Sequence, residues 1–332
     1  MTIPPPMSSG EFERIAGMLE VAARLPIPPG IVVAAGDDAA VLRPADGESI
    51  VLSVDLSIEG VHFRREWLTW EAIGYRAAAA ALSDLAAMAA RPLGALVSVA
   101  LPVELDTQVY LQLASGVTGA LAGAEATLLG GDTSRSPGPA FVDVTVVGST
   151  PQPVTRAGAA PGDQVWVTGR LGGAAAAVLA LQAALEPEPA ARRRFERPVV
   201  RWREALWLAE REVPTAMIDL SDGLAGDARH LASASGVGLR LRIDALPLDD
   251  ALEGWSDTGA ARRIAAGGGE DYELLFAAPA GRVDRIRAAF RQRFDLDLTR
   301  VGDVVEGSGV AWIDRAGEPV DPPAEAGFDH FG

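Results

Sequence analysis

The 332-residue chain has no cysteine. That excludes disulfides, thiolate nucleophiles, iron–sulfur ligation and cysteine-based zinc sites. Neither a GxxxxGK[ST] phosphate loop nor the HRD and DFG motifs of protein kinases occur in it. Positive charge is in the minority, with 29 basic residues against 45 acidic ones, a net charge of -16 and a pI of about 4.6. Such a surface repels phosphate backbones, so no nucleic-acid partner is expected. A phosphorylated small molecule is still compatible with it if divalent cations stand between the two. Long apolar runs are missing too. The most apolar long window, residues 72–90, carries Arg76 and Asp84 and is mostly alanine, so it fails as a membrane span. The first residues, "MTIPPPMSSGEFERIAGML", show no basic region followed by an apolar stretch, so no signal peptide is expected. The expectation is a cytoplasmic protein with no membrane partner.

What is present suits two domains. The length fits two on the usual size prior, and a hydrophobic content of 48% lets each bury a core. "PQPVTRAGAAPGD" (151–163) breaks periodicity with its prolines, placing a boundary between domains 1–150 and 151–332. In the first half, helical patterns start at Gly10, at 71–90 and at 106–123. Strand patterns run from Ser49 to about Leu56, over 94–102, through "ATLLGG" and through "FVDVTVVGST". The second half opens with a strand, "QVWVTG", and a long Ala/Leu helix. "EPEPAARRRF" reads as a polar connection, followed by a helix over 200–211. "AMID" and "VGLRLRI" read as strands, and "GGGEDYELLF" as a glycine turn feeding another. Both halves mix helices and strands in an α/β (α+β) manner.

The acids fall in unusual places. Asp37 and Asp38 stand side by side in "AAGDDAAVL", where unpaired burial of either would cost several kcal/mol. Asp55 closes "LSVD" at an expected strand end, Asp84 sits on the Ala-rich helix, and Asp132 ends "LLGGD". Asp219 and Asp222 flank Ser221 in "MIDLSDG". Strand ends of open sheets are where ligands collect. Carboxylates there suit hard divalent cations, which take one or two carboxylates each together with phosphate oxygens. A phosphoryl-transfer enzyme without a phosphate loop would draw its positive charge from several metals and a few arginines.

Taken together, "GDDAAVL", "SVDLSIEGVHF", "ALSDLAAM", "LLGGDTSRS", "RAGAAPGD", "IDLSDGL", "GGGEDYELLF" and the terminal "GFDHF" resemble the thiamine-monophosphate kinases in order and spacing, from Gly10 to Phe331. The Asp pair and the Asp219–Asp222 turn recur more loosely in a wider superfamily. It includes aminoimidazole ribonucleotide synthetase, formylglycinamidine synthetase, selenide dikinase and a hydrogenase-maturation carbamoyl dehydratase. The resemblance implies the two-domain aminoimidazole ribonucleotide synthetase-like fold, in which the N-terminal domain dimerises through a β-barrel and the C-terminal domain is α/β. It implies a homodimer that uses ATP and several Mg2+ ions to convert thiamine phosphate to thiamine diphosphate. Carried over by motif, Asp38, Ser53, Val54, Asp55, Asp84, Asp132, Asp219 and Asp222 would hold magnesium. Gly131, Asp132, Arg156 and Ser221 would touch ATP, and His62, Glu270 and Phe328 would line the thiamine phosphate site. Val54 stands where a hydroxyl residue is common, so only its backbone carbonyl could serve. Phe328 stands where Trp or Tyr is common and keeps a stacking ring.

The implied nucleophile is a phosphate oxygen, largely dianionic at neutral pH because its second pKa is roughly 6. No catalytic base is therefore expected, in keeping with a chain of three histidines. Asp37 is expected to hydrogen-bond backbone or water, His230 to lie on the surface, and Tyr272 and Phe276 to be core. The absence of cysteine counts against selenide dikinase and the hydrogenase-maturation enzyme. An intact acid set counts against a catalytically silent nucleotide-binding regulator.

Overall fold

The computed structural model describes residues 10–253, 255 and 257–321, with side chains from residue 13 onward. The chain divides into two compact units. One comprises the chain up to Leu85 together with Arg91–Gln152, and the other comprises Ala86–Ala90 together with the chain from Pro153 onward.

The first unit contains helix α1 (Gly10–Ala22), short strands β1 (Ile31–Val33) and β2 (Val41–Leu42), strand β3 (Ser49–Ile58) and helix α2 (Trp70–Ala87), whose last residues pass into the second unit. Strand β4 (Arg91–Pro102), helix α3 (Thr107–Gly123) and strands β5 (Thr127–Ser136) and β6 (Phe141–Thr150) follow. The main sheet has the order β3-β6-β4-β5, antiparallel except for the β4/β5 pair. It is open, with β3 at one edge and β5 at the other, so no barrel closes within the described residues of one chain. Strand alternation sorts β3 cleanly. Val51, Ser53, Asp55 and Ser57 are half-buried on one face, while Leu52, Val54 and Leu56 are exposed on the other. The glycines where α2 meets α3 have a steric reason. At the crossing with α3, a Cβ on Gly116 would fall 1.9 Å from the Glu71 carbonyl oxygen, and one on Gly74 would fall 2.1 Å from that of Leu113. The two helices meet backbone to backbone, which only small residues permit.

In the second unit β7 (Gln164–Thr168) leads to α4 (Gly173–Gln182), α5 (Pro189–Glu196), α6 (Trp202–Ala209), β8 (Ala216–Asp219) and α7 (Leu224–Ser235). Strand β9 (Gly238–Arg242), a 3-10 turn (Ile243–Ala245), α8 (Asp250–Glu253), α9 (Thr258–Gly267), β10 (Leu274–Ala278), α10 (Arg282–Phe294), β11 (Leu298–Val305) and β12 (Gly309–Ile313) complete it. Its six-stranded sheet has the order β12-β9-β11-β7-β10-β8. All pairs are antiparallel except β12/β9. β8 and β10 are buried throughout and apolar except for Asp219 at the end of β8, with Phe276 and Ile218 among the fully enclosed side chains. The Tyr272 and Phe276 side chains are core, as expected. No helix among the described residues is long and apolar enough to cross a membrane.

Three local readings are corrected. The "EPEPAARRRF" connection contains a helix, α5. The Glu188 carboxylate accepts the N–H groups of Ala190 and Ala191, Pro189 occupies the first turn, and Arg192 pairs with Glu186 and Glu196. Only Ala191 and Phe195 are buried, too few for a periodic signal. Asp55 and Asp132 do not end their strands. β3 stays paired with β6 through Ile58↔Phe141, and β5 stays paired with β4 through Pro102↔Ser136. Ladder hydrogen bonds to a long neighbour carry each strand past its polar residues.

Candidate functional site

In the first unit, the opening Asp pair is exposed, so neither carboxylate bears a burial cost. Asp37 turns its Oδ1 back to accept the N–H of Asp38 at 2.8 Å, the local role expected of it, and this fixes the backbone that presents Asp38. β3 and α2 bring two further candidates together: the Ser53 hydroxyl donates to Asp84 Oδ2 at 2.5 Å. Asp55 lies two residues on from Ser53 and therefore on the same face of β3. The Val54 side chain points to the opposite, exposed face. Asp132 is exposed and accepts the Thr133 N–H at 2.8 Å. A Cβ at Gly131 would fall 2.0 Å from the Val97 carbonyl oxygen, so the β4/β5 pairing requires glycine there. His62 folds back on the end of β3, where its Nδ1 accepts the Ile58 N–H at 3.0 Å. A neutral imidazole so held carries its proton on Nε2.

In the second unit, β8 delivers Asp219, and the chain turns at 220–223 into α7. Gly223, with φ +104, could not carry a Cβ, which would meet the Gly267 carbonyl oxygen at 2.7 Å. The 269–272 turn lies directly against this one. The Glu270 N–H donates to the Ser221 carbonyl and the Tyr272 N–H to that of Leu220, both at 2.8 Å. Ser221, Asp222 and Glu270 are thus held in one backbone framework. Arg156 is tethered to the same region: its carbonyl accepts the Ser235 hydroxyl, and the preceding carbonyl of Thr155 accepts the Met217 N–H of β8. His230 is exposed on α7, as expected. Phe328 lies outside the described residues.

Sequence reasoning missed Asp227. It is 2% exposed on α7, and its Oδ2 accepts the Asp222 N–H at 3.2 Å. Burial, reinforced by the carboxylates of Asp219 and Asp222, pushes its pKa up to about 8. Its only sequence signal is the spacing "DLSDGLAGD", which puts it one helical turn inside α7. Asp271 caps the start of α4, where both of its oxygens accept the Gly172 N–H. Burial raises its pKa well above the usual carboxylate range. Among the described residues, no three His, Asp or Glu side chains form a ready-made metal cage.

Two family models match the chain: the N-terminal domain of AIR synthase related proteins over residues 36–150, and their C-terminal domain over residues 160–314. The thiamine-monophosphate kinase of Salmonella typhimurium (strain LT2) is 35% identical over 335 residues, covering 98% of this chain and 99% of its own. The crystal structure of thiamine-monophosphate kinase from Stenotrophomonas maltophilia K279a is 34% identical with a TM-score of 0.80, covering 93% of this chain and 96% of its own. A solved structure of AaThiL complexed with AMPPCP and TMP is 31% identical with a TM-score of 0.74, covering 100% of both chains. The chain belongs to the thiamine-monophosphate kinase family, on the two-domain fold of the AIR synthase related proteins.

Proposed function

We propose that the protein transfers the terminal phosphoryl group of ATP to thiamine phosphate, giving ADP and thiamine diphosphate. The observation that carries this reading is a relative matching the whole chain that was solved with AMPPCP and TMP. The acceptor oxygen is anionic at neutral pH, so no side chain has to remove a proton. What the protein must do is hold two repelling phosphate groups in line. On this reading Gly131, Asp132, Arg156 and Ser221 receive ATP, while His62, Glu270 and Phe328 receive the acceptor. His62 then offers an Nε2–H to an anionic oxygen, and Glu270 offers a carboxylate to the thiamine cation.

The donor groups suit magnesium. They are all oxygens, and a cation that takes one or two carboxylates plus phosphate oxygens does not need a full protein cage. Asp38, Ser53, Asp55, Asp84, Asp132, Asp219 and Asp222, with the carbonyl of Val54, would hold it. Bound there, Mg2+ supplies charge neutralisation between donor and acceptor phosphates. The chain contains no lysine, so its only other permanent cations are arginines.

The reading includes a homodimer. Leu52 and Val54 are 65% and 61% exposed, flanked by exposed Ile50, Leu56 and Leu96 on the same sheet face. Two copies of a chain with net charge -16 meet with least repulsion across surface that carries little charge. β3 at the sheet edge offers that surface, and barrel closure would come from the second copy. The function is tested by supplying MgATP with either thiamine phosphate or free thiamine. Thiamine diphosphate should form from the phosphate ester alone. Efficient turnover of free thiamine would show that the site does not depend on an acceptor phosphate.

A further inference from the structure

Two non-glycine residues in the 269–272 turn occupy the left-handed region, Glu270 at φ 69° and Tyr272 at φ 50°. Side chains there cost of order 1 kcal/mol or more each and persist only where the surroundings enforce them. The restraint comes from one residue further on. Glu273 is 1% exposed, and its carboxylate is fully engaged by buried groups. Arg201 Nε donates to its Oε2 at 2.8 Å and Arg201 Nη2 to its Oε1 at 2.5 Å, a two-pronged pair. The Thr168 hydroxyl donates to Oε2 at 2.6 Å and accepts the Leu274 N–H at 2.8 Å. Arg194 stands 3.7 Å from Oε1. The Glu273 carbonyl in turn accepts the Leu220 N–H at 2.8 Å, next to Ser221. Arg201 and Thr168 belong to no motif of the proposed ligand sites, yet both grip the residue where the strained turn becomes β10.

We infer that the buried Arg201–Glu273–Thr168 network is a positioning device for the acceptor side of the site, fixing the backbone that aims the Glu270 carboxylate. The inference rests on the reading above that Glu270 meets thiamine phosphate. The acids proposed to hold magnesium have their own anchors: β8 is paired with β10 from Asp219 to Ala216, and Asp227 holds the Asp222 N–H. Loosening Glu273 therefore acts first on the turn that carries Glu270, while Asp219 and Asp222 keep anchors of their own. A small displacement of a substrate-positioning group is enough to cost an order of magnitude.

The test is steady-state kinetics of Thr168→Val, Thr168→Ser and Glu270→Gln, each variant first shown to be folded by circular dichroism. Thr168→Val keeps the shape but loses the hydroxyl that bridges Glu273 and Leu274, without stripping Arg201 of its two-pronged carboxylate partner as Glu273→Gln would. It should raise KM for thiamine phosphate by about tenfold and leave KM for ATP within about twofold. Thr168→Ser, which restores the hydroxyl, should recover the wild-type KM. A folded Thr168→Val with unchanged KM for thiamine phosphate, or with both KM values raised alike, overturns the inference. Glu270→Gln separates the two levels. It should raise KM for thiamine phosphate by itself. If it does not, Glu270 is not at the acceptor site and the reading beneath the inference fails; if it does while Thr168→Val has no effect, only the positioning role fails.

Discussion

Asp227 gives the most quantitative forecast. Its carboxyl is buried beside Asp219 and Asp222 and titrates near 8 in the native protein. In the unfolded chain it would titrate near the ordinary aspartate value of roughly 3.9. A group whose native pKa is raised favours folding while it is protonated in both states. Between the two values the unfolded chain gives up the proton and the native chain keeps it. Stability is therefore complete below about pH 4 and declines as pH rises toward 8, by about 1.4 kcal/mol per unit. From pH 5 to pH 7 the decline from this group alone is about 3 kcal/mol. Asp227→Asn retains the shape and an oxygen to accept the Asp222 N–H but cannot ionise. Urea unfolding of both proteins in EDTA at pH 5 and pH 7 isolates the group, since every other titration cancels in the difference. The variant should gain about 3 kcal/mol on the wild type between the two pH values. An equal change in both proteins would refute the argument, because it would mean that Asp227 is ionised in the native state across that range.

Two further outcomes follow from the first unit. Asp84→Asn keeps an oxygen for the Ser53 hydroxyl, so apo stability should stay within about 0.5 kcal/mol or rise. MgATP should stabilise the wild type against heat, and the variant should lose most of that gain and most turnover. A destabilised apo variant with an intact MgATP response in thermal melts would make Asp84 structural. Leu52→Glu places a charge on the exposed apolar face of β3, so sedimentation at micromolar concentration should show a monomer. A variant as dimeric as the wild type would put the interface elsewhere.

Local chemistry was legible where it depended on a residue's neighbours in sequence. The period-2 pattern of "LSVDLSI" set Ser53 and Asp55 against Leu52, Val54 and Leu56, and the structure keeps that division. The side chain of Asp37 does what an aspartate before an exposed turn does. What was hidden depended on distant partners. Nothing in "SVD" or "GGD" says that β6 and β4 will extend those strands past the acids. Nothing near Arg201 announces a glutamate 72 residues away. Helix α5 was missed because its stability comes from Glu188, Pro189 and charge pairs, none of which leaves an apolar stripe.

The second unit treats its two most buried acids in opposite ways, and the contrast bears on function. Glu273 is neutralised by a two-pronged arginine and a hydroxyl. Asp227 is as deeply enclosed, but the groups acting on it are two more carboxylates and the N–H groups of Asp222 and Gly223. The fold is thus able to place a guanidinium against a buried carboxylate 72 residues away, whereas around Asp227 it sets two further carboxylates. An arginine there would ease the repulsion, and on the proposed reading it would also compete with the Mg2+ that Asp219 and Asp222 would hold. The raised pKa of Asp227 costs stability at pH 7, and on the proposed reading the two acids that help to raise it, Asp219 and Asp222, are magnesium ligands. A site that departs from the compensation used elsewhere in its own domain is where function is expected to override folding.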